Sequence, residues 1–227
     1  MTDDPEPVDY QHWEVYIATQ QMKTSDGWSG TAPHLEVNYG VVPNVQLHII
    51  APLAYDAPTA GGAHYGYGDT ELGVKYRFVV ETENVPQVGV FPLLEVPSGS
   101  GHEGLGSEQM QIFLPVWVQK SWGEKDSQWT TYGGGGYWIT PGRGNENWGF
   151  MGWLLQRQVT HALTLGAELF HETPKQVHGD SDTIINGGGI YDFSETHHLM
   201  LTAGHTIQGP SEFILYAAFQ WTFGPAK

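Results

Sequence analysis

Acidic, basic and amide side chains recur at every second position in several stretches of this chain, each time alternating with apolar ones. Across Gly68–Phe78, the residues Glu71, Gly73, Lys75 and Arg77 alternate with Leu72, Val74, Tyr76 and Phe78. His34, Glu36 and Asn38 alternate with Leu35, Val37 and Tyr39, and Gln46 and His48 with Val45, Leu47 and Ile49. Glu14 stands beside Val15 and Ile17, Glu95 in the run 88–96, and Glu168 among Leu163, Leu165, Ala167 and Leu169. A period of two is the β-strand period, so each polar set shares one face. A face that carries both signs, here Glu14, His34, Glu36, Asn38, His48, Glu71, Lys75, Arg77, Glu95 and Glu168, can order water and filter ions. These ten residues are expected to line a wet lumen, with lipid against the apolar face.

Hairpin geometry refines that expectation. A turn centred on Val42 sets Glu36 opposite His48 and Asn38 opposite Gln46. A turn centred near Asn84 sets Gly73 opposite Glu95, with Lys75 one diagonal away. Cross-strand neighbours at this spacing interact. A belt of Glu36, His48, Lys75, Arg77 and Glu95 is therefore expected, either polarising a constriction or bracing the wall with ion pairs.

Other chemistries fit less well. Eleven histidines suggest metal, yet no His-x-His or His-Glu-x-x-His spacing occurs, and adjacent His197 and His198 would point to opposite faces of a strand. No metal site and no cofactor is expected. A membrane-barrel esterase would need Ser, His and an orienting group on one face. Ser194 lies near His198 but in a predicted turn, and Gly-x-Ser-x-Gly is missing. Gly133 to Gly136 lacks the Lys-Ser/Thr ending of a phosphate loop. Within a strand, such glycines make room for bulky neighbours or a bend.

The elements that would position these residues are all strands. Alternation marks twelve of them, an even number as in bacterial barrels. Their breaks fall near 40–44, 81–87, 123–128, 158–162 and 194–197 on one side. On the other they fall near 21–31, 55–67, 97–108, 140–147 and 171–182, where they are mostly longer. Short periplasmic turns and longer external loops are the asymmetry of a transmembrane antiparallel up-and-down β-barrel. Trp13, Tyr39, Trp122, Trp129, Trp221 and Phe223 sit near strand ends on the apolar parity, as interfacial girdles would. The competing reading of the girdle is that aromatics are good strand formers.

The 227 residues suit one barrel. No apolar run is long enough for a transmembrane helix, and with no cysteine there is no disulfide framework or thiolate site. Nine basic against 25 acidic residues give a formal charge of −16. Nucleic acid is thereby an unsuitable partner, since phosphate binding needs clustered Lys and Arg. Residues 1–12 are acidic and unpatterned, with Asp3, Asp4, Glu6 and Asp9. They read as a periplasmic or lumenal leader that folds into the barrel mouth against Lys75 or Arg77, or else as a disordered tail; residues 13–227 read as the barrel. The opening Met1-Thr2-Asp3-Asp4-Pro5 carries no export signal. The expectation is a mature chain with its signal removed and a start methionine added.

Several stretches also resemble a known family. They are Pro33–Gly40, Pro43–Gln46, Gly66–Phe78, Leu114–Gly123 and Gly152–Gln156, with Gly66–Phe78 the most specific. Together they resemble the outer-membrane channels associated with the meta pathway of phenol degradation. The resemblance implies a monomeric twelve-stranded channel in the bacterial outer membrane, surrounded by lipid, that passes small solutes, aromatic or hydrophobic catabolic compounds among them. It brings no catalytic residues. Two other readings stay open. A soluble lipocalin-like barrel would turn its apolar face inward around a hydrophobic ligand. A lipid-modifying barrel enzyme would need the triad discussed above.

Overall fold

The computed structural model describes residues 1–124 and 127–225. Residues 125 and 126, within the break expected at 123–128, lie outside the described residues, as do the last two positions of the expected 13–227 unit. The strands are β1 (Trp13–Lys23), β2 (Gly27–Val42), β3 (Val45–Pro58), β4 (His64–Tyr67 and Thr70–Val79), β5 (Gln87–Val90 and Leu93–Val96) and β6 (Gln111–Trp122). They continue as β7 (Trp129–Ile139), β8 (Trp148–Thr160), β9 (Leu163–Glu172), β10 (Asp182–Ser194), β11 (His197–Gln208) and β12 (Phe213–Phe223). Each pairs antiparallel with the next. β1 pairs with β12 from Trp13↔Phe223 to Lys23↔Phe213 and closes the sheet. Among the described residues the result is a closed twelve-stranded antiparallel barrel, in which β4 and β5 are each interrupted once. Closure leaves no sheet edge, so every strand finds hydrogen-bond partners on both sides.

Alternation places the apolar set outside. Ile17 (60% exposed), Leu35, Leu72, Leu114, Met151 and Leu201 all stand on the outer surface, whereas Asn38, Gln46, Lys75 and Glu168 are buried within. A soluble protein does not expose a continuous apolar belt around its whole circumference. This inversion removes the lipocalin-like reading, which needs the opposite parity. Outward aromatics gather toward the end with the short turns. There Trp13 packs on Tyr39 at a 4.3 Å centroid distance and Trp221 on Phe223 at 4.5 Å. Arg157, also outward, lies over Trp129 at 5.2 Å.

Two connections expected as loops are shorter than their sequence suggests. β1 and β2 leave only 24–26 between them, and β3 and β4 only 59–63. The strand ends at 20–23, 27–32, 55–58 and 64–67 lack the regular apolar/polar alternation, so the period of two does not mark them as strand. At that end 97–110, 140–147 and 173–181 are the long connections. At the other end three turns have only two residues, 43–44, 161–162 and 195–196.

A close-packed aromatic cluster occupies one side of the interior: Phe91, Phe113, Trp117, Phe150 and Phe170, with Leu93, Trp138 and Trp148 against it. Phe113 stacks on Phe150 at 4.9 Å and Phe150 on Phe170 at 5.7 Å. The glycine run of β7 makes this possible. A Cβ on Gly134 would come within 2.9 Å of the Trp117 ring, and one on Gly136 within 2.9 Å of Phe150. Without side chains there, both rings lie flat against the wall.

Candidate functional site: a divided lumen

The first residues of the chain enter the barrel from the short-turn end. Pro5, Pro7 and Val8 are buried. The Val8 N–H donates to Gln46 Oε1 at 2.9 Å, and the Thr2 N–H donates to Glu168 Oε1. Asp3 pairs with the Lys75 ammonium at 3.1 Å and Asp4 at 3.7 Å, and Glu6 lies 3.6 Å from Arg77. Backbone contacts anchor the segment where it meets β2: the Gln11 N–H donates to Gly40 O at 2.7 Å, and the Gly40 N–H to His12 O at 3.0 Å. The barrel wall is cut away along its course. A Cβ on Gly89 would meet Pro5 Cβ at 3.0 Å, and one on Gly152 would collide with Thr2 Oγ1.

This segment divides the lumen. A chamber of about 760 Å³ opens toward the long-loop end, and another of about 610 Å³ surrounds the segment toward the short-turn end. Thr2, Asp3, Glu36, Phe91 and Tyr216 border both. From the other side the 97–110 loop folds inward. The carboxylate of Asp69, in the interruption of β4, accepts the Gly99 N–H at 2.8 Å and the Ser107 N–H, and Leu105 is buried beneath the rim.

Each of the ten sequence-derived residues lies on the inward parity of its strand, and many are engaged. Glu14 Oε2 accepts from the Tyr16 hydroxyl at 3.0 Å. His34 Nδ1 lies 2.7 Å from Thr31 Oγ1. Asn38 Nδ2 donates to Glu36 Oε1 at 2.7 Å, and Asn38 Oδ1 accepts from Gln46 Nε2 and His48 Nδ1. His48 Nδ1 is 3.6 Å from Glu36. Arg77 donates to Asn44 Oδ1 and Gln87 Oε1. Glu95 accepts from Gln111 at 2.9 Å, and Glu168 from Asn186 at 2.6 Å.

The register differs from the hairpin estimate by two residues. Asn38 faces His48, Glu36 faces Ile50, and Gln46 faces Gly40. Glu71, not Gly73, faces Glu95, and Gly73 faces Leu93. Each turn is centred one residue away from the midpoint read in sequence, and one residue of turn position shifts the facing pairs by two. The expected single belt is consequently divided. Glu36 and His48 meet, but Lys75 and Arg77 are taken up by the N-terminal acids, and Glu95 stands across from another acid.

Sequence reasoning missed the aromatic cluster. Its trace was present: Phe113 and Trp117 share the inward parity of β6, and the strand that follows it in the wall carries four glycines. At the short-turn end, Ser194 Oγ lies 3.0 Å from His197 Nδ1, whereas Asp192 pairs with His198 at 2.6 Å. Among the described residues no single histidine joins a serine to an acid there, so no nucleophilic relay forms.

The fold and its lumen define a closed barrel with an apolar exterior and a charged, subdivided interior. It is similar to an outer membrane channel from Pseudomonas putida F1, at 16% identity over 98% of this chain and 99% of that one, with a TM-score of 0.77. It is also similar to the KdgM porin in complex with disordered oligogalacturonate (11% identity, 92% and 99% covered, TM-score 0.60). A third likeness is to the translocator domain of the autotransporter NalP from Neisseria meningitidis (11% identity, 93% and 88% covered, TM-score 0.62). At these identities the likeness is one of fold. No family model and no curated protein matches the chain, so the family resemblance rests on the stretches quoted above.

Proposed function

We propose that the chain is a bacterial outer-membrane channel through which small solutes diffuse passively, with the N-terminal segment holding its lumen narrow. The observation that carries this reading is the inversion of the barrel: apolar side chains face outward around the whole wall, and acidic, basic and amide side chains face two chambers that share bordering residues. Lipid is the partner such an exterior requires. Twelve strands lie between the eight whose lumen side chains fill and the sixteen of wide porins, so the passage is narrow and selects by size and charge. The similar folds include a channel and a porin, which supports conduction rather than catalysis. The phenol-pathway resemblance and the aromatic wall both support aromatic solutes as cargo. The barrel would act as a monomer, its sheet being complete within one chain. Single-channel recording in planar bilayers tests the reading. Stepwise conductance is expected, rising when residues 2–9 are deleted. A folded barrel that conducts in neither form would refute it.

A further inference from the structure

The outer chamber has two unlike walls, and the sheet register fixes their relation. One row of inward positions runs Glu36–Ile50–Glu71–Glu95–Gln111 across β2 to β6. The next row toward the short-turn end runs His48–Gly73–Leu93–Phe113–Trp138–Trp148. Same-face residues two apart in a strand are separated by about 7 Å. The acids of the first row, on β2, β4 and β5, thus stand one step above and to one side of the aromatic residues of the second, on β6 to β8, and both rows border the chamber.

The charges there are unbalanced. Glu71 and Glu95 are direct cross-strand partners, and like charges so placed repel. Among the described residues lining the chamber there is no lysine or arginine. Lys75 is held below by Asp3 and Asp4. Lys175 at the rim pairs with Glu172 while its ammonium lies 4.8 Å over the Trp148 ring. The amino terminus is drawn to Glu168 at 3.8 Å. At the rim Lys175 is held between a carboxylate and an aromatic face; Glu71 and Glu95 have no such cation between them.

Trp117 Nε1 and His48 Nε2 are among five buried polar atoms without a hydrogen-bond partner among the described residues. Trp117 is fully buried and His48 is 7% exposed, and both border the chamber. Buried donors and acceptors are normally satisfied; His48 Nδ1 donates to Asn38 Oδ1, so its Nε2 is an acceptor, one row below Glu71, that suits a bound cationic donor. A volume of about 760 Å³ falls in the range of small-molecule sites.

We propose that the outer chamber is a binding site for a small aromatic cation, a ring bearing an ammonium on a short arm. The ring packs against the half-buried Trp138 and Trp148, and the ammonium sits between Glu71 and Glu95. The proposal deepens the channel reading by naming its solute class and rests on that reading for its biological sense. The test is titration calorimetry of the full chain refolded in detergent micelles, against matched empty micelles. The probes are 2-phenylethylammonium, 2-phenylethanol and phenylacetate. The cation is expected to bind at least about tenfold tighter than the alcohol, with the anion weakest. Glu71→Gln with Glu95→Gln should abolish the preference, and Trp138→Leu should weaken cation and alcohol alike. Equal affinity for cation and alcohol in the wild-type barrel would overturn the proposal, as would a preference that survives the double substitution. The same preparations are recorded in bilayers. Conduction without cation preference overturns the site alone, and cation binding by a barrel that never conducts overturns the channel alone.

Discussion

Replacing Lys75 by methionine should loosen the N-terminal segment and open the lumen. Methionine keeps much of the stem that packs near Phe91, whose ring lies 4.9 Å from the ammonium, and removes only the charge. Two carboxylates then lose their partner, Asp3 at 3.1 Å and Asp4 at 3.7 Å. The Lys75 side chain is 7% exposed, and those of Asp3 and Asp4 are 36% exposed. Breaking a fully buried pair costs about 3–5 kcal/mol, and an exposed pair is worth about 0–1 kcal/mol. One buried partner facing two partly solvated ones places the loss near 2 kcal/mol. At 1.4 kcal/mol per tenfold, the undocked population grows by about 30-fold. The hydrogen bond from Val8 to Gln46 and the burial of Pro5 remain, so docking is weakened and not abolished. Single-channel recording reads the effect as a larger fraction of time at the higher conductance level, with the 2–9 deletion defining that level. Lys75→Arg should stay near wild type. Asp3→Asn should add little in the Lys75→Met background, because the pair is already broken. Identical open fractions in wild type, Lys75→Met and the deletion would refute a gating role for the segment.

Further outcomes follow from the same geometry. Leu72→Arg or Leu114→Arg, on the outer apolar belt, should cost about 2–4 kcal/mol in refolding titrations; Glu71→Arg, facing the chamber, should cost less, and equal damage would overturn the parity. Gly73 is a poor lumenal control despite its inward parity, since a Cβ there would collide with Leu93 and come within 2.9 Å of Phe91. Gly136→Val should push Phe150 off the wall at a cost of about 1–3 kcal/mol, visible as a changed near-ultraviolet dichroism of the aromatic cluster. Reversal potentials in a salt gradient should show a preference for small cations, because Lys75 and Arg77 are offset by Asp3, Asp4 and Glu6 while Glu36, Glu71 and Glu95 remain. Glu36→Gln with Glu95→Gln should weaken that preference, and a wild-type channel that prefers anions would show that the two bases govern the constriction.

What the sequence determined by itself was the wall. The period of two assigns every strand residue to one side or the other, and in a run such as Glu71 to Phe78 it separates the charged set from the apolar set. Strand number and the closed sheet follow, because each run must pair on both sides. Three things were decided only in three dimensions. Register depends on turn position to a single residue, and an offset of one exchanged Gly73 for Glu71 as the partner of Glu95, turning a mixed belt into a facing pair of acids. The aromatic cluster needed the glycines of β7 to lie across from Trp117 and Phe150, a meeting of strands that no local pattern specifies. The N-terminal residues have no periodicity of their own. Their path into the lumen is set by Lys75, Arg77, Gln46 and Glu168, side chains far away in sequence that the closed barrel brings to one interior, where buried charges and amides must find partners.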